Sequence, residues 1–528
     1  MPRPGFVLEV DERTPPLLVH EGEGFRLQKF PLGARVVYPP DPLPGIKDVR
    51  GAIRHALDNP VGSEPLSALL KPGMKLTIAF DDISLPLPPM RTPDIRQRIL
   101  EELIELAAQK GVEDVKLIVA NSLHRRMTAN EIKRAVGERV YRSFYPKDLA
   151  NHDAEDPDGI TYIGKTDKGE EVDLNTRAAE SDLVVYVNIN LVAMDGGHKS
   201  VPVGLASYRS VRHHHNVNTM LHSKSYMDPR DGVSAIHDSC KRMGQLLADS
   251  GVRVFTIETT LNSRTFPKEF GFLNRREWEW SVKDQAMFLA AKNGNEVGPA
   301  RIRREVWRRI AAPYGITGVN AGETGAVHER TLARLHEQQL VEVNGQYDIL
   351  VVGVPYLGPY NVNSIMNPIL VHCLGLGYFF NLYRNKPLVR PGGAMILFHP
   401  VPWEFHQVHH PSYVDFFEEV LAETTDPSTI ESKFEQQYAT DPWYIHLYRK
   451  SYAYHGVHPF YMWYWGAHAM DYLGDVIVVG GNPKSCARMG YRSATSFRDA
   501  LEMASEKVGR SPSMTYFHVP PIMIADVR

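Results

Sequence analysis

The sequence predicts an α/β protein of two domains, each a mostly parallel sheet with flanking helices. Two observations lead to this fold class. Apolar runs of strand length alternate with stretches of helical period, and this order is typical of parallel sheets covered by helices. The chain has 528 residues, whereas a single hydrophobic core stops growing at roughly 250 to 300 residues. We therefore expect two cores.

The first alternating set lies in the N-terminal half. Its predicted strands cover 75–80, 115–121 and 182–190. The helix after the first strand is predicted to begin with Thr92 as N-cap and Pro93 in its first turn, and to end at Gly111. The next helix is predicted over 128–137, because Thr128 precedes Glu131 by three residues, the spacing of a capping box.

A second alternating set follows in the C-terminal half. Its predicted strands cover 347–355, 392–400 and 475–481, and a helix is predicted over 413–423. A charged segment separates the two sets, so we predict domains over 1–280 and 281–528, with the active site in the cleft between them. An aromatic, histidine-bearing stretch near 430–470 is predicted to be a helical insertion in the second domain.

Composition excludes several classes of function. Lys and Arg total 59 against 62 for Asp and Glu, so no basic field would attract nucleic acid. Three separated cysteines without a CxxC pair favour a reducing, cytoplasmic setting. The N-terminus lacks the apolar core of a signal peptide, and no apolar run approaches the ~20 residues of a membrane helix. We expect a cytoplasmic protein with no nucleic-acid or membrane partner.

Reactive side chains follow three predicted strands of the first set. Ligands of open parallel sheets bind at the carboxyl ends of the strands, where these loops converge. His124 follows the second strand, and Lys199 follows the third, behind Gly196 and Gly197. The candidates after the first strand are Asp81, Asp82, Ser84 and Arg91. One cleft could therefore hold all three groups.

Each of these residues has an ordinary structural explanation as well. The Gly-Gly-x-Lys pattern suits phosphate binding or acylation of the lysine, but it also occurs in plain turns. His124 could be a general base or a hydrogen-bonded loop residue. The two adjacent aspartates could bind ribose, substrate or Mg²⁺, or could cap a turn. The histidine run 213–215 could bind a metal, but because consecutive side chains diverge, at most two of them reach one ion.

The order of these motifs resembles the nickel-pincer lactate racemase family. The resemblance rests on "ALDNPVGSEPL", "KPG", the strand ending in "FDD", then "SLHRRMT", "NHD" and "GGHKSVPVGLASYRSVRHHHN". It covers residues 1–270 well. In the second half it is weak and rests on "YDILVV" and "RPGGAMILFHP".

The resemblance implies a cofactor and a set of site residues. In that family a lysine after Gly-Gly holds pyridinium-3,5-bisthiocarboxylic acid mononucleotide nickel through a thioamide bond, and Lys199 matches it. A histidine sixteen positions further completes the nickel coordination, which implies His215 as the metal ligand. His124 matches a catalytic histidine. The implied cofactor-binding residues are Lys199, Asp82, Ser84, Arg91, Gly196 and Gly197.

Three departures from the family lie at the substrate end. Ile83 stands where the racemases have the arginine that holds the substrate carboxylate, and Leu85 stands where they have another arginine two residues later. An exposed apolar residue cannot replace a bidentate guanidinium. Asn190 occupies the position of the second catalytic histidine. No lysine occurs between 355 and 385, where the family has a substrate-binding one. Racemisation of lactate itself is therefore not expected.

We expect an isomerase, a racemase or epimerase, that transfers hydride reversibly at the carbinol carbon of a hydroxy acid or related alcohol other than lactate. Its predicted catalytic positions are His124 and Asn190. The implied partners are a small-molecule substrate and the proteins that synthesise the cofactor. The alternatives are a metal-dependent hydrolase using the 213–215 region and a non-catalytic protein that binds a nucleotide or metabolite.

Overall fold

The structure is a computed structural model that describes residues 6–528. It has the predicted α/β fold, with helices packed on sheets that are mostly parallel. The strands form because their apolar runs are long enough to be buried on both faces. Leu183–Asn190 is buried along its whole length, the pattern of a strand covered by helices on both sides of a parallel sheet.

A six-stranded sheet carries the strands predicted in the N-terminal half. All neighbours in it are parallel except the last strand along the chain, which pairs antiparallel. In spatial order its strands are Ile316–Gly322, Val254–Leu261, Leu183–Asn190, Lys75–Asp81, Asp114–Ala120 and Leu149–Asn151. The predicted strand bounds are within a residue or two of the observed ones.

A nine-stranded sheet carries the strands predicted in the C-terminal half. The main path is, in spatial order, Val7–Glu9, Arg35–Val37, Met514–Phe517, Tyr347–Pro355, Val389–Phe398, Asp475–Val479 and Arg492–Ala494. A hairpin of Leu17–Gly22 and Gly24–Gln28 joins this sheet through Tyr347–Pro355. Two small sheets complete the strands: Leu340–Val343, Ile524–Val527 and Tyr383–Arg384 in one, and Ile160–Lys165 with Glu171–Asn175 in the other.

The two large sheets exchange chain segments. The four strands before residue 40 belong to the nine-stranded sheet, and Ile316–Gly322 returns to the six-stranded sheet. The division of the chain into domains near residue 280 stays a prediction. The sheets themselves draw strands from both sides of that position.

Helices fill the connections between strands. The α-helices are Val49–Asp58, Leu66–Leu69, Ile95–Gln109, Ala129–Phe144, Thr176–Ala179, Ser200–Gly204, Tyr208–Val211, Val217–His222, Ala235–Asp249, Val282–Val297, Ala300–Arg309, Thr324–Gln339, Pro368–His372, Pro411–Asp415, Leu421–Glu423, Pro427–Ile430, Gln436–Ala439, Pro442–Lys450, His458–Tyr464, Ala467–Tyr472, Pro483–Arg488 and Phe497–Val508. Short 3₁₀ turns cover Gly197–Lys199, Lys268–Asn274 and Glu277–Glu279, and π-helical turns cover Cys373–Phe379, Phe416–Val420 and Glu431–Glu435.

One of the two predicted helix starts is correct. The capping box of Thr128 and Glu131 is present at the start of Ala129–Phe144. The start predicted at Thr92 is wrong by two residues. Asp94 caps Ile95–Gln109 instead, because its carboxylate accepts a hydrogen bond from the Arg96 amide at 2.9 Å and also binds the Arg96 guanidinium.

The aromatic stretch of the C-terminal half is helical. Pro442–Lys450, His458–Tyr464 and Ala467–Tyr472 lie within it, and the side chains of Trp463 and Trp465 are almost fully buried. Between residues 6 and 528, every helix is too short or too polar to cross a membrane.

A buried carboxylate joins three segments at the edge of the nine-stranded sheet. Glu277 accepts hydrogen bonds from the Leu18 amide at 2.8 Å, the Tyr38 hydroxyl at 2.9 Å and the His518 Nε2 at 2.9 Å. Burial raises the pKa of Glu277, but the charge and hydrogen bond of His518 and the Leu18 amide outweigh it, so the pKa lies below its ordinary value.

We expect Glu277→Ala to lower the free energy of unfolding by roughly 3 to 5 kcal/mol, because three buried donors lose their shared acceptor. The contribution of a carboxylate with a lowered pKa is present above its unfolded pKa and is lost as the pH falls. The defect should therefore be largest near pH 7 and smaller near pH 4 in thermal melts. Glu9→Ala, at an exposed strand position, is the control and should stay within about 0.5 kcal/mol of the parent protein. Equal losses from both changes would contradict the role of Glu277.

Candidate active site

The carboxyl ends of three neighbouring strands meet at one cavity. Lys75–Asp81 lies between Asp114–Ala120 and Leu183–Asn190 with parallel register, so the loops that follow the three strands share one edge of the sheet. The cavity residues contributed by the N-terminal half are Asp81, Asp82, Ser84, Leu85, Leu87, Ala120, Ser122, His124, Tyr186, Asn188, Leu191, Val192, Met194, Asp195, Gly196, Lys199, Ser200, Val203, Gly204 and His215.

Six of the nine residues predicted for the site line this cavity. They are Asp82, Ser84, His124, Gly196, Lys199 and His215. The lysine and the histidine sixteen residues later, which the sequence predicted to belong to one site, therefore share one cavity. Arg91, Asn190 and Gly197 lie elsewhere and are described below.

Lys199 ends the 3₁₀ turn that follows the two glycines. Its half-buried ammonium donates a hydrogen bond to the Met194 carbonyl at 3.3 Å. Gly196 has φ +84°, and a Cβ atom there would lie 2.2 Å from the Asn190 amide nitrogen. Only glycine fits that backbone conformation and that close approach. The turn that presents Lys199 to the cavity thus depends on Gly196.

His215 is a neutral imidazole. Burial, followed by the charges of His214 and Lys199, holds the pKa of His215 well below its ordinary value. The Nδ1 atoms of His214 and His215 lie 2.6 Å apart, so one of them donates a hydrogen bond to the other. The rings of Tyr461 and Trp465 pack against His215, each with its centroid 5.5 Å away. Neutral imidazole is the form that binds metals.

The three consecutive histidines do not face the same way. The Nε2 atom of His213 lies 3.9 Å from a carboxylate oxygen of Glu171, on a neighbouring hairpin. His214 is fully buried and bonded to His215. Within the described part of the chain, no group of three His, Cys, Asp or Glu side chains is arranged to hold a metal ion.

His124 forms a pair with Asp82. The carboxylate of Asp82 accepts a hydrogen bond from the His124 Nδ1 at 2.8 Å, and its other oxygen accepts from the amide and hydroxyl of Ser84. Burial raises the pKa of Asp82, but His124 and Ser84 together bring it below its ordinary value. Because the Nδ1–H faces Asp82, the Nε2 atom of His124 is left to exchange protons.

Two further polar residues lie on the cavity wall: Asp81, a candidate from the sequence that the family resemblance did not include, and Asn188, which was not predicted. The carboxyl of Asp81 lines the cavity and accepts a hydrogen bond from the Ile189 amide at 2.6 Å. Burial, which outweighs that hydrogen bond, raises the pKa of Asp81 to about 8. Asn188 is also on the wall: its oxygen accepts from the Ser200 hydroxyl at 2.9 Å, and its Nδ2 has no partner among residues 6–528. Polar residues inside an otherwise apolar strand were the signal for Asn188.

The C-terminal half contributes the opposite wall. No local motif marked these residues, because they reach the cavity only through long-range packing. They are Pro359, Tyr360, Leu374, Tyr378, Phe379, Leu382, Trp465 and Ile522. The hydroxyls of Tyr360 and Tyr378 are hydrogen-bonded to each other at 3.1 Å.

Three predicted residues do not reach the cavity. The backbone of Arg91 is hydrogen-bonded to Ala312 at 3.0 Å, which directs its exposed side chain to a separate cavity. Gly197 donates its amide to Glu258 at 2.6 Å and backs onto the ring of His328. The fully buried amide of Asn190 donates to the Asp195 carbonyl at 2.9 Å and supports the loop before Lys199.

Comparison with known proteins relates this geometry to a family. Residues 24–228 match the family model of the lactate racemase N-terminal domain. This part of the chain is lactate racemase-like. The lactate racemase of Lactiplantibacillus plantarum is 27% identical over 168 residues, and that of Thermoanaerobacterium thermosaccharolyticum is 26% identical over 167 residues. The chain covers 38% and 37% of the length of these relatives, and each alignment covers 31% of this chain.

The likeness in fold extends further than the likeness in sequence. The lactate racemase apoprotein of T. thermosaccharolyticum matches with a TM-score of 0.62 at 18% identity, over 97% of this chain and 99% of that one. A protein from Thermotoga maritima matches with a TM-score of 0.50 at 13% identity, over 92% and 100% of the two chains. The lactate racemase-like fold therefore includes the C-terminal half, where the family model has no match.

We expect Asp81→Asn to remove a pH dependence of stability. A carboxyl with a raised pKa keeps its proton in the folded state while the unfolded chain releases it, so stability falls as the pH rises from about 4 to about 8. An amide does not titrate. The variant should melt a few degrees above the parent protein at pH 9 and lose this decline in melts recorded from pH 4 to pH 9.

Asp167→Asn is the control, since Asp167 is exposed in a hairpin turn. It should leave the pH profile unchanged. An Asp81→Asn profile that runs parallel to that of the parent protein would show that the Asp81 carboxyl titrates normally.

Proposed function

We propose that this chain is a lactate racemase-like isomerase that uses a nickel-pincer nucleotide for reversible hydride transfer at the carbinol carbon of a hydroxy acid or related alcohol other than lactate. The observation that carries the proposal is that Lys199, His215 and the Asp82–His124 pair line one cavity. The residues that the N-terminal half contributes to this cavity all lie within 24–228, the part of the chain that matches the lactate racemase N-terminal domain.

The side chains present fit such a group. Lys199 offers an amine for a covalent link, in a turn held by Gly196. His215 offers a neutral imidazole on the same cavity. The buried Nδ2 of Asn188, which lacks a partner in the described chain, is a hydrogen-bond donor on that wall. Nitrogen donors of this kind suit nickel. When bound, the group supplies an acceptor for hydride.

The hydrogen bond with His214 determines which nitrogen of the His215 imidazole carries the proton. If the Nδ1–H of His215 donates to the Nδ1 of His214, the Nε2 lone pair of His215 is free for a metal. If the Nδ1–H of His214 is the donor instead, the Nε2 atom of His215 carries the proton and cannot bind a metal. Metal-binding histidines ordinarily donate their second ring N–H to a neighbouring acceptor. We therefore assign His214 as the acceptor for His215.

The proton of the substrate hydroxyl goes to His124 in this proposal. Asp82 accepts from Nδ1, which orients the ring and stabilises its charged form while Nε2 takes the proton. Asn190 cannot exchange a proton and does not line the cavity, so it is assigned a supporting role for the Lys199 loop. Asp81, with a pKa of about 8, is the other cavity group suited to exchange a proton near neutral pH.

We expect the parent protein, produced together with the cofactor-synthesis proteins, to contain about one nickel per chain and a covalent mass on the peptide with Lys199. Lys199→Arg keeps the charge but cannot form the link, so the added mass should be lost. His215→Ala should keep the added mass but retain nickel at least tenfold less well, because one ligand is missing. Intact mass, peptide mapping and metal analysis measure these outcomes.

His222→Ala is the matched control for the histidine, because His222 is exposed on the next helix. It should leave both mass and nickel unchanged. A parent protein without added mass and without stoichiometric nickel under these conditions would refute the proposed cofactor.

A further inference from the structure

The cavity has a neutral wall. Tyr360 and Tyr378 are the most polar of the eight side chains that the C-terminal half contributes, and none of the eight is charged. Burial raises the pKa of Tyr360 well above its ordinary value, and that of Tyr378 likewise, so both phenols stay neutral. The remainder of this wall is aliphatic or aromatic, with Phe379 and Trp465 as its large rings.

Apart from Lys199, the ionisable groups on the facing wall are either paired with each other or favour their neutral forms. Asp82 and His124 neutralise each other. Burial raises the pKa of Asp81 and that of Asp195, which favours their neutral forms. Among the described residues, Lys199 is the single lysine or arginine that lines the cavity. In the proposed function its amine holds the cofactor, so no lysine or arginine on the cavity remains to pair with a substrate carboxylate.

We infer that the substrate is an uncharged secondary alcohol with an aromatic or bulky apolar substituent, and that it carries no carboxylate. This inference rests on the proposed function for the use of the cavity and names the substrate class. A carboxylate in the cavity would lose its hydration without gaining a cation, which is costly. An aromatic group would instead be buried against Phe379 and Trp465.

Leu85 is one of the two positions where the resembled family has an arginine, and it lies on the wall of the cavity. Its half-buried side chain lines the cavity together with Leu87. Leu85 also lines a second cavity near Glu131 and Arg134, and Ile83, two residues earlier, lines only that second cavity. An arginine at Leu85 would therefore bring a guanidinium within reach of the site, and an arginine at Ile83 would not.

The test uses a matched pair of ligands on the full-length chain, 1-phenylethanol and mandelate. They share the phenyl group and the carbinol, and differ in a methyl group against a carboxylate. We expect the parent protein, produced together with the cofactor-synthesis proteins so that the Lys199 amine is engaged, to bind 1-phenylethanol roughly tenfold more tightly than mandelate in ligand-observed NMR titrations. Leu85→Arg should improve mandelate binding by roughly tenfold to a hundredfold, the range of a charged hydrogen bond.

Two variants serve as controls. Ile83→Arg adds the same charge outside the cavity and should keep the preference of the parent protein. Leu85→Gln adds a neutral polar group of similar length and should not improve mandelate binding. Equal affinities, a preference of the parent protein for mandelate, or binding of neither compound at 10 mM would each overturn the inference, and the parent titrations decide this even if Leu85→Arg fails to fold.

The outcomes separate this inference from the proposed function. A chain that prefers 1-phenylethanol but never takes up nickel or gains mass at Lys199 would refute the cofactor and keep the ligand class. A chain that loads nickel but binds mandelate more tightly would keep the cofactor and refute the ligand class.

Discussion

The parallel pairing of Lys75–Asp81 with Leu183–Asn190 is the constraint on which the site depends. The carboxyl of Asp81 ends one strand and accepts the Ile189 amide of the other at 2.6 Å, so the two strand ends are also linked by a side chain. Asp82 starts one loop, and the loop that leads to Lys199 starts at the neighbouring strand end. A slip of one residue in this register would turn the side chain of Asp81 to the other face of the sheet. It would also move the loop that starts at Asp82 away from the loop that leads to Lys199.

Carboxylates organise the loop that carries the amine. Asp195 accepts hydrogen bonds from the amides of Leu191 and Val192, both at 3.1 Å, and closes the loop before the glycines. Glu258 accepts the Gly197 amide and is paired with His328. Burial raises the pKa of Asp195, and the positive charge of Lys199 opposes that effect. The position of the Lys199 amine and the protonation of the Asp195 carboxyl are therefore linked.

The sequence predicted best what short-range chemistry determines. Continuous apolar runs located the strands, and the spacing of Thr128 and Glu131 located a helix start. The pairing of Lys199 with His215 came from the family resemblance and not from local chemistry, and both side chains line one cavity. Arg91 was predicted for the same site but lines a separate cavity, because its backbone is hydrogen-bonded to Ala312, more than 200 residues away.

The strands before residue 40 show the same limit. Nothing in their own residues indicates that Arg35–Val37 pairs with Met514–Phe517. The neutral wall of the cavity was equally hidden, because residues such as Tyr360 and Trp465 carry no motif and acquire a place only through the packing of two sheets. Sequence patterns report local order, and contacts across hundreds of residues depend on the whole core.

The aromatic helices of the C-terminal half are part of the site because they support both of its imidazoles. The Tyr448 hydroxyl donates to the Ser122 carbonyl at 2.7 Å, and the His455 amide donates to the Leu123 carbonyl at 3.1 Å, which fixes the loop that carries His124. Trp465 packs on His215 from the same segment. The position of each imidazole therefore depends on the segment that also contributes Trp465 to the neutral wall, so a change at Trp465 alters ligand fit and imidazole geometry together.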